Sequence, residues 1–214
     1  MSALDEFSAS IADAVAAASP AVVGVGRAGS GVIVADGLVA TNAHNVQEST
    51  EVSFADGATA AALVAGADLD GDLAVLAVGT GGRAALEWAQ AGEGQPISLG
   101  QLVIGLARPR GGPLRAGVGF VSGLGLDFRG PGGSPVTGAV EHTAPLARGS
   151  SGGPVVDTKG RLVGINTHRE GDGFYLALPA GPELRSRVEA LGRGEVRRRA
   201  KLGVALAPPR AARR

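Results

Sequence analysis

The chain has 214 residues, 44% of them hydrophobic and 19% charged, which excludes an intrinsically disordered protein and allows a substantial core. It contains no cysteine, so disulfides, thiol catalysis and thiolate metal sites are excluded. Its 36 glycines, set against 5 Phe, 1 Tyr and 1 Trp, favour many tight turns between short strands.

The formal net charge of zero conceals an uneven distribution of charge along the chain. From residue 185 onward there are ten Arg or Lys against two acids, so the preceding residues carry ten basic and eighteen acidic groups. A basic tail can bind nucleic acid or an anionic membrane, but more often it is a solvated linker. Because no aromatic residues alternate with these arginines, we expect no nucleic-acid partner.

Neither a membrane segment nor a signal peptide is predicted. No apolar run reaches the length of a membrane span. The first twenty residues carry acids where a signal peptide needs positive charge, and Asp13 interrupts their apolar stretch. The chain as written is therefore expected in the cytoplasm, although an envelope or periplasmic protein without its leader would look the same.

Two helices are predicted, one near each end of the chain. Apolar residues spaced three or four apart predict an amphipathic helix over residues 4–18, stopped by Pro20. The segment PELRSRVEALG predicts a second helix, with Pro182 at its start and Gly192 just past its end.

Between these helices lie two series of short β-rich runs separated by turn residues. The first series is AVVGVG, GVIVA, GLVATN, EVSF, AALVAG and LAVLAV, and the second is QLVIGLA, AGVGFVSGLG, GAVEHTA, GPVVD, RLVGINTH and GFYLAL. Two series of similar length predict an all-β protein of two packed β-barrels. The expected segments are an N-terminal helical segment over 1–19, a first barrel over 20–95, a second over 96–180, a C-terminal helix over 181–195 and a basic linker over 196–214.

The sequence does not support a hydrolase nucleophile elbow, a dinucleotide-binding fingerprint or a histidine metal site. The stretch Gly149-Ser150-Ser151-Gly152-Gly153 fits a hydrolase nucleophile elbow, but Pro154 and a strand follow it where that motif needs a helix. The spacing of Gly24, Gly26 and Gly29 fits a dinucleotide fingerprint, but again a strand follows. With three separated histidines, no metal site and no cofactor are predicted.

A serine triad in the order His, Asp, Ser is the remaining candidate. His44 stands at the end of a predicted strand, in ATNAHNV, and Asp72 directly precedes another, in LDGDLAVL. Asp68 and Asp70 compete with Asp72 for the same role. Each residue alone has an ordinary structural explanation, but each stands at the edge of a strand in the order that barrel-type serine proteases require.

Three stretches, GSGVIVADGLVATNAHNV, GDLAVL and APLARGSSGGPVVDTKGRLVGINT, closely resemble the HtrA/DegP branch of chymotrypsin-fold serine proteases. The resemblance runs from about residue 7 to residue 191. It implies two packed six-stranded antiparallel barrels with a helix at each end. The chain departs from the family pattern at Asn45, usually Val, and at Ser150, usually Asn, but neither position supplies a triad side chain.

The resemblance implies a role for each candidate residue. Ser151 would be the nucleophile, His44 its general base and Asp72 the group that orients His44. The segment Gly149, Ser150 and Ser151 would form the oxyanion hole through backbone N–H groups, chiefly those of Gly149 and Ser151.

Substrate-binding residues follow from the same resemblance. The segment before the nucleophile should line the primary pocket, and a later strand should pair with the substrate backbone; these residues are Pro145, Leu146, Ala147, Arg148, Ile165, Asn166 and Thr167. Because the pocket segment contains no acid, cleavage after small or mid-sized aliphatic residues is expected rather than after Lys or Arg. His142 and His168 are interpreted as structural or surface residues.

The implied function is a serine endopeptidase of protein quality control that cleaves unfolded or extended polypeptides. The alternative is a polypeptide-binding, chaperone-like module on the same fold without hydrolysis. The C-terminal RRRAKLGVALAPP resembles the opening strand of a PDZ domain that the chain does not complete. The short connection over residues 27–29 argues against large cages, and family analogy suggests a homotrimer.

Overall fold

The computed structural model describes residues 2–47, 50–89, 97–130, 133–171 and 173–195. The start of a PDZ domain expected within residues 196–214 lies outside these residues. Two closed barrels of six strands each occupy most of the described chain. The predicted architecture of two packed barrels with a helix at each end is therefore confirmed.

The N-terminal helix, α1, spans Ala3–Ala18. It begins with a capping box, in which the Ser2 hydroxyl accepts the Asp5 N–H and the Asp5 carboxylate accepts the Ser2 N–H. A short 3-10 turn over Ser19–Ala21, containing Pro20, leads into the first strand. The first two turns of the helix are exposed, and only its C-terminal half packs on the core. The small alanines of that half allow a close approach.

The first barrel has the strand order β1-β2-β3-β6-β5-β4, and its described neighbouring pairs are antiparallel. Its strands are β1 (Val22–Val25), β2 (Gly29–Ala35), β3 (Leu38–Thr41), β4 (Thr50–Ser53), β5 (Thr59–Asp68) and β6 (Leu73–Ala77). β3 pairs with β6 along its whole length, from Leu38 opposite Ala77 to Thr41 opposite Ala74. The chain that leaves β3 therefore lies beside the chain that enters β6.

The second barrel repeats the arrangement, with the order β10-β11-β12-β9-β8-β7. Its strands are β7 (Leu102–Ala107), β8 (Arg115–Arg129), β9 (Pro135–His142), β10 (Pro154–Val156), β11 (Leu162–Glu170) and β12 (Phe174–Pro179). β10 and β11 join through a turn that Asp157 holds, its carboxylate accepting the N–H groups of Lys159 and Arg161. The short β10 pairs with only the first part of β11, which leaves the later part of β11 with an open edge on that side.

The C-terminal helix, α2, spans Pro182–Gly192 and returns to the first barrel, where it packs on β5 and β6. Gly66 lies against it so closely that a Cβ would come 2.5 Å from the Leu191 carbonyl oxygen. Arg187 also binds Asp68 at 2.8 Å, with both side chains at least 85% buried. In the described part of the chain, no helix has the length and apolar character needed to cross a membrane.

Arg108, at the end of β7, joins the two barrels. Its side chain is buried, and Nε donates to the Val22 carbonyl oxygen of β1 at 3.0 Å. Its backbone N–H donates at 3.0 Å to the Ser30 hydroxyl, which in turn donates to the Gly149 carbonyl oxygen at 2.8 Å. Burial lowers the pKa of the Arg108 guanidinium, but an arginine stays charged in a protein. These contacts fix the seam along which the barrels meet.

The substitution Arg108→Met should test this seam, because it keeps the apolar stem and removes the donors. We expect the free energy of unfolding in urea to fall by about 2 kcal/mol, since the Val22 carbonyl loses a charged donor. The exposed Arg115→Met is the matched control and should change the value by less than about 0.5 kcal/mol. Equal effects of the two substitutions would show that the seam does not depend on Arg108.

Candidate functional site

His44 and Asp72 meet at one end of the first barrel. His44 lies in the 3-10 turn Ala43–Asn45, directly after β3, and Asp72 is the residue before β6. Because β3 and β6 are neighbours, the side chains of His44 and Asp72 meet. His44 Nδ1 lies 2.9 Å from each Asp72 carboxylate oxygen. Asp72 has a φ of 48°, in the left-handed region that a non-glycine residue seldom occupies.

The Asp72 carboxylate is 2% exposed and accepts hydrogen bonds from both barrels. Oδ1 accepts the backbone N–H of His44 at 3.2 Å, and Oδ2 accepts the hydroxyl of Thr167, on β11, at 2.7 Å. These donors stabilise a buried negative charge and orient it toward the imidazole. The role of the Thr167 hydroxyl was missed, because the sequence analysis assigned this residue to substrate pairing and not to Asp72.

The two competing aspartates have other partners. Asp68 binds Arg187 of α2 and accepts the N–H of Gly71, which fixes the turn before Asp72. Asp70 accepts the hydroxyl of Ser134, on the loop between β8 and β9. Of the three candidates, Asp72 is the one that the fold brings to His44.

Ser151 lies on a tight turn between β9 and β10. At two positions of this turn, 149 and 152, the backbone conformation and the lack of space require glycine. Gly149 has a φ of 87°, and a Cβ there would come 2.1 Å from the Ala28 carbonyl oxygen. Gly152 has a φ of 85°, and a Cβ there would come 2.2 Å from the Ser30 carbonyl oxygen. The turn is thus pressed against the first barrel, which brings Ser151 to the side where His44 and Asp72 lie.

The backbone N–H groups of this turn are not equivalent. Among the described residues, those of Gly149 and Ser151 have no acceptor, so both are available to a ligand. The Ser150 N–H instead donates to the Ala147 carbonyl oxygen at 3.3 Å, as does its hydroxyl at 2.8 Å. Of the three positions expected to form an oxyanion hole, Ser150 is therefore engaged inside the turn.

The Ser151 hydroxyl donates to the Thr167 carbonyl oxygen, at 3.4 Å. Within the described part of the chain it makes no hydrogen bond to His44, whose side chain is 32% exposed. Ser151 and His44 thus lie at the same seam, and no hydrogen bond joins their described side chains. A rotation about one side-chain bond changes the direction of the hydroxyl without moving the backbone.

Asn45, one of the two departures from the family pattern, connects the turn that carries His44 to the turn that carries Ser151. Its amide donates to the Ser151 carbonyl oxygen at 2.8 Å and to the Thr41 hydroxyl at 3.1 Å. Gly29 makes room for it, because a Cβ at that position would lie 2.4 Å from the amide carbon. The family comparison marked this position as different but did not indicate that its side chain reaches Ser151.

A cavity of about 230 Å³ opens beside Ser151. Its wall is uncharged at Leu146 and Tyr175, and the Tyr175 hydroxyl donates to the Leu146 carbonyl oxygen at 3.2 Å. Four more expected binding residues line it, namely Ala147, Arg148, Asn166 and Thr167. Two others do not: Pro145 is exposed outside the lining, and Ile165 is fully buried because it faces the barrel core.

His142 supports this cavity from behind. It is fully buried and stacks on Tyr175 with ring centroids 5.8 Å apart, while Nε2 lies 2.8 Å from the Asn166 side-chain oxygen. Burial lowers its pKa, so the imidazole is neutral near pH 7. His168 is exposed and stacks on Phe128. Both histidines therefore have the structural surroundings that the sequence analysis expected.

A larger cavity, of about 1000 Å³, lies elsewhere on the second barrel. Its wall includes Leu124, Val140 and Lys159, but none of His44, Asp72 and Ser151. Size alone would favour it as a binding site, but the smaller cavity lies beside the nucleophile. Among the described residues, no three His, Asp or Glu side chains are grouped so that they could hold a metal ion.

Residues 29–165 match the family model of the trypsin-like peptidase domain. The matched segment is more than half of the chain and includes His44, Asp72 and Ser151. Two curated relatives are the serine protease Do-like HtrA of Bacillus subtilis and a probable periplasmic serine endoprotease, DegP-like, of Bartonella henselae. The first is 29% identical, over 90% of this chain and 51% of its own length. The second is 30% identical, over 84% of this chain and 36% of its own length.

This chain therefore spans about half the length of the first of these relatives and about a third of the second. Among solved structures, it is similar to the inactive form of the Rv3671c protease, at 27% identity and a TM-score of 0.72. That likeness covers 85% of this chain and 94% of the solved one.

Asn45→Val, which restores the residue usual in the family, should test the link between the histidine turn and Ser151. The Ser151 carbonyl keeps one donor, the Ser30 N–H at 3.0 Å, so we expect a partial loss of about fivefold in kcat/KM. The rate is measured on a chromogenic peptide with Val before the scissile bond. The exposed Gln47→Val is the control, and an unchanged rate for Asn45→Val would show that this amide does not position the nucleophile.

Proposed function

This chain belongs to the trypsin-like peptidase family, in its HtrA-type group of serine endopeptidases, and on that premise we propose that it cleaves extended polypeptides through Ser151. The observation that carries the proposal is the meeting of three groups at one seam. These are the pair formed by the buried Asp72 and the partly exposed His44, a serine on a glycine turn, and two backbone N–H groups without an acceptor among the described residues.

The first chemical step is attack of the Ser151 oxygen on the scissile carbonyl carbon. For this step the hydroxyl turns from the Thr167 carbonyl oxygen to His44 Nε2, which takes its proton. Asp72 accepts the Nδ1–H of His44, which leaves Nε2 unprotonated to act as the base and stabilises the imidazolium that forms. The Thr167 hydroxyl holds Asp72 in this orientation.

The tetrahedral intermediate carries its negative charge on the former carbonyl oxygen. The N–H groups of Gly149 and Ser151 bind this oxygen, because they are the donors of the turn that have no acceptor within the described protein. His44 then gives its proton to the leaving amine, the peptide C–N bond breaks, and Ser151 is acylated. Water, deprotonated by His44, attacks the ester and releases the acid, which restores the serine.

The substrate backbone pairs with the open edge of β11. On the side of β10, the backbone of Asn166 still pairs with Gly152 and Gly153. Past Asn166 the described backbone has no backbone partner on that side, so a polypeptide can add there as an antiparallel strand. Such pairing needs an extended segment, which favours unfolded regions as substrates. The uncharged wall of Leu146 and Tyr175 favours a small or mid-sized aliphatic side chain before the scissile bond.

A role in protein quality control follows from this substrate class, because extended aliphatic segments are exposed mainly when proteins unfold. The periplasmic relatives support the cell envelope, the second of the two compartments expected from the sequence. Association into a homotrimer stays a prediction.

Labelling with an organophosphate serine reagent, followed by mass spectrometry, tests the proposed nucleophile. We expect one adduct, on Ser151, which is absent from Ser151→Ala and retained in Ser150→Ala. If the folded protein stays unlabelled, even with a peptide activator or at raised temperature, the chain is a polypeptide-binding module and the proposal fails.

A further inference from the structure

Two arginines flank the mouth of the pocket beside Ser151. Arg148 directly precedes Gly149, and Arg169 lies two residues beyond Thr167 on β11. Both line the cavity of about 230 Å³, and none of its lining residues is acidic. The absence of an acid disfavours basic substrate residues, and the two cations add an attraction for acidic ones.

The strand geometry directs Arg169 toward the site. In the register of β11 with β12, Arg169 lies directly opposite Tyr175, so the two side chains share a face of the sheet. His168, which precedes Arg169, also borders this cavity and stacks on Phe128. The Arg169 guanidinium accordingly lies over the Tyr175 ring of the pocket wall, 5.6 Å from its centroid.

Neither guanidinium is neutralised by a described side chain. Among the described side chains, ion pairs involve neither Arg148 nor Arg169. The arginines that do form them are Arg83, Arg161, Arg185, Arg187 and Arg193. Both side chains are exposed, so they form a cationic rim around an uncharged interior. An exposed guanidinium without an ion-pair partner is suited to bind a carboxylate through paired hydrogen bonds.

We propose that this rim selects polypeptides in which an Asp or Glu lies next to the aliphatic residue that enters the pocket. The inference rests on the proposed function and narrows its substrate class. The acidic side chain binds at the rim and not inside the pocket. The desolvation free energy of a carboxylate is larger against Leu146 and Tyr175 than at the exposed rim. The same two charges repel Lys or Arg at the flanking positions.

Binding to the inactive Ser151→Ala variant tests the rim without relying on hydrolysis. The probes are fluorescein-labelled peptides with Val before the scissile position and Glu, Gln or Lys at each of the two residues on either side. At low salt we expect at least one position where Glu binds about tenfold more tightly than Lys, with Gln between them. At 0.5 M NaCl the ratio should shrink, because exposed charges are screened.

Arg148→Gln and Arg169→Gln, combined in the Ser151→Ala background, should reduce the Glu-to-Lys ratio to within about twofold while the Gln peptide still binds. Arg185→Gln, an exposed arginine of α2 outside the pocket lining, is the matched control and should keep the ratio. The inference is overturned if the charge variants bind equally at every position, if no peptide binds, or if the double variant keeps the preference. Serine labelling is independent of these outcomes, so the proposed nucleophile can stand while this inference fails.

Discussion

The site depends on one buried carboxylate that both barrels bind. Asp72 contacts His44 of the first barrel and accepts the Thr167 hydroxyl of the second. A buried carboxylate needs its donors, since an unpaired one would cost several kcal/mol. The packing of the barrels and the orientation of the histidine are therefore coupled, because a shift at the seam removes a donor from the same group that fixes the imidazole.

The turn that carries Ser151 depends on the same seam. Gly149 and Gly152 let the turn approach the first barrel more closely than any side chain allows, and Asn45 and Ser30 then hold the Ser151 carbonyl. What stays adjustable is the Ser151 hydroxyl, which rests on the Thr167 carbonyl. In the proposed mechanism, the backbone of the turn already presents its two N–H donors, and the change that attack requires is a rotation of the Ser151 side chain.

The sequence predicted the architecture well, because strand runs, glycine turns and helix stops are local signals. Strand-edge positions made His44, Asp72 and Ser151 candidates. The resemblance to the HtrA/DegP branch, and not a local pattern, favoured Asp72 over Asp68 and Asp70. The sequence did not predict the Thr167–Asp72 bond or the reach of Asn45 to Ser151. Those contacts join residues about a hundred positions apart and depend on how two barrels pack, which no local pattern encodes.

The same limit applied to the pocket. Ile165 was expected to bind substrate with its neighbours, but strand alternation turns it into the core, while the unpredicted Arg169 faces the site. Ser150 was included with the oxyanion donors, but its N–H closes the turn on Ala147. In each case the motif located the segment, and the backbone geometry decided which atoms are available.

The most direct test of the account is a crystal structure of the full chain after reaction with a peptidyl phosphonate that carries Val next to phosphorus. The account predicts phosphorus bonded to the Ser151 oxygen, with a phosphonyl oxygen about 2.7–3.1 Å from the backbone nitrogens of Gly149 and Ser151. The Val side chain should lie against Leu146 and Tyr175, with His44 still bound to Asp72. A phosphonyl oxygen bound by Ser150, or a His44 separated from Asp72 in the adduct, would contradict it.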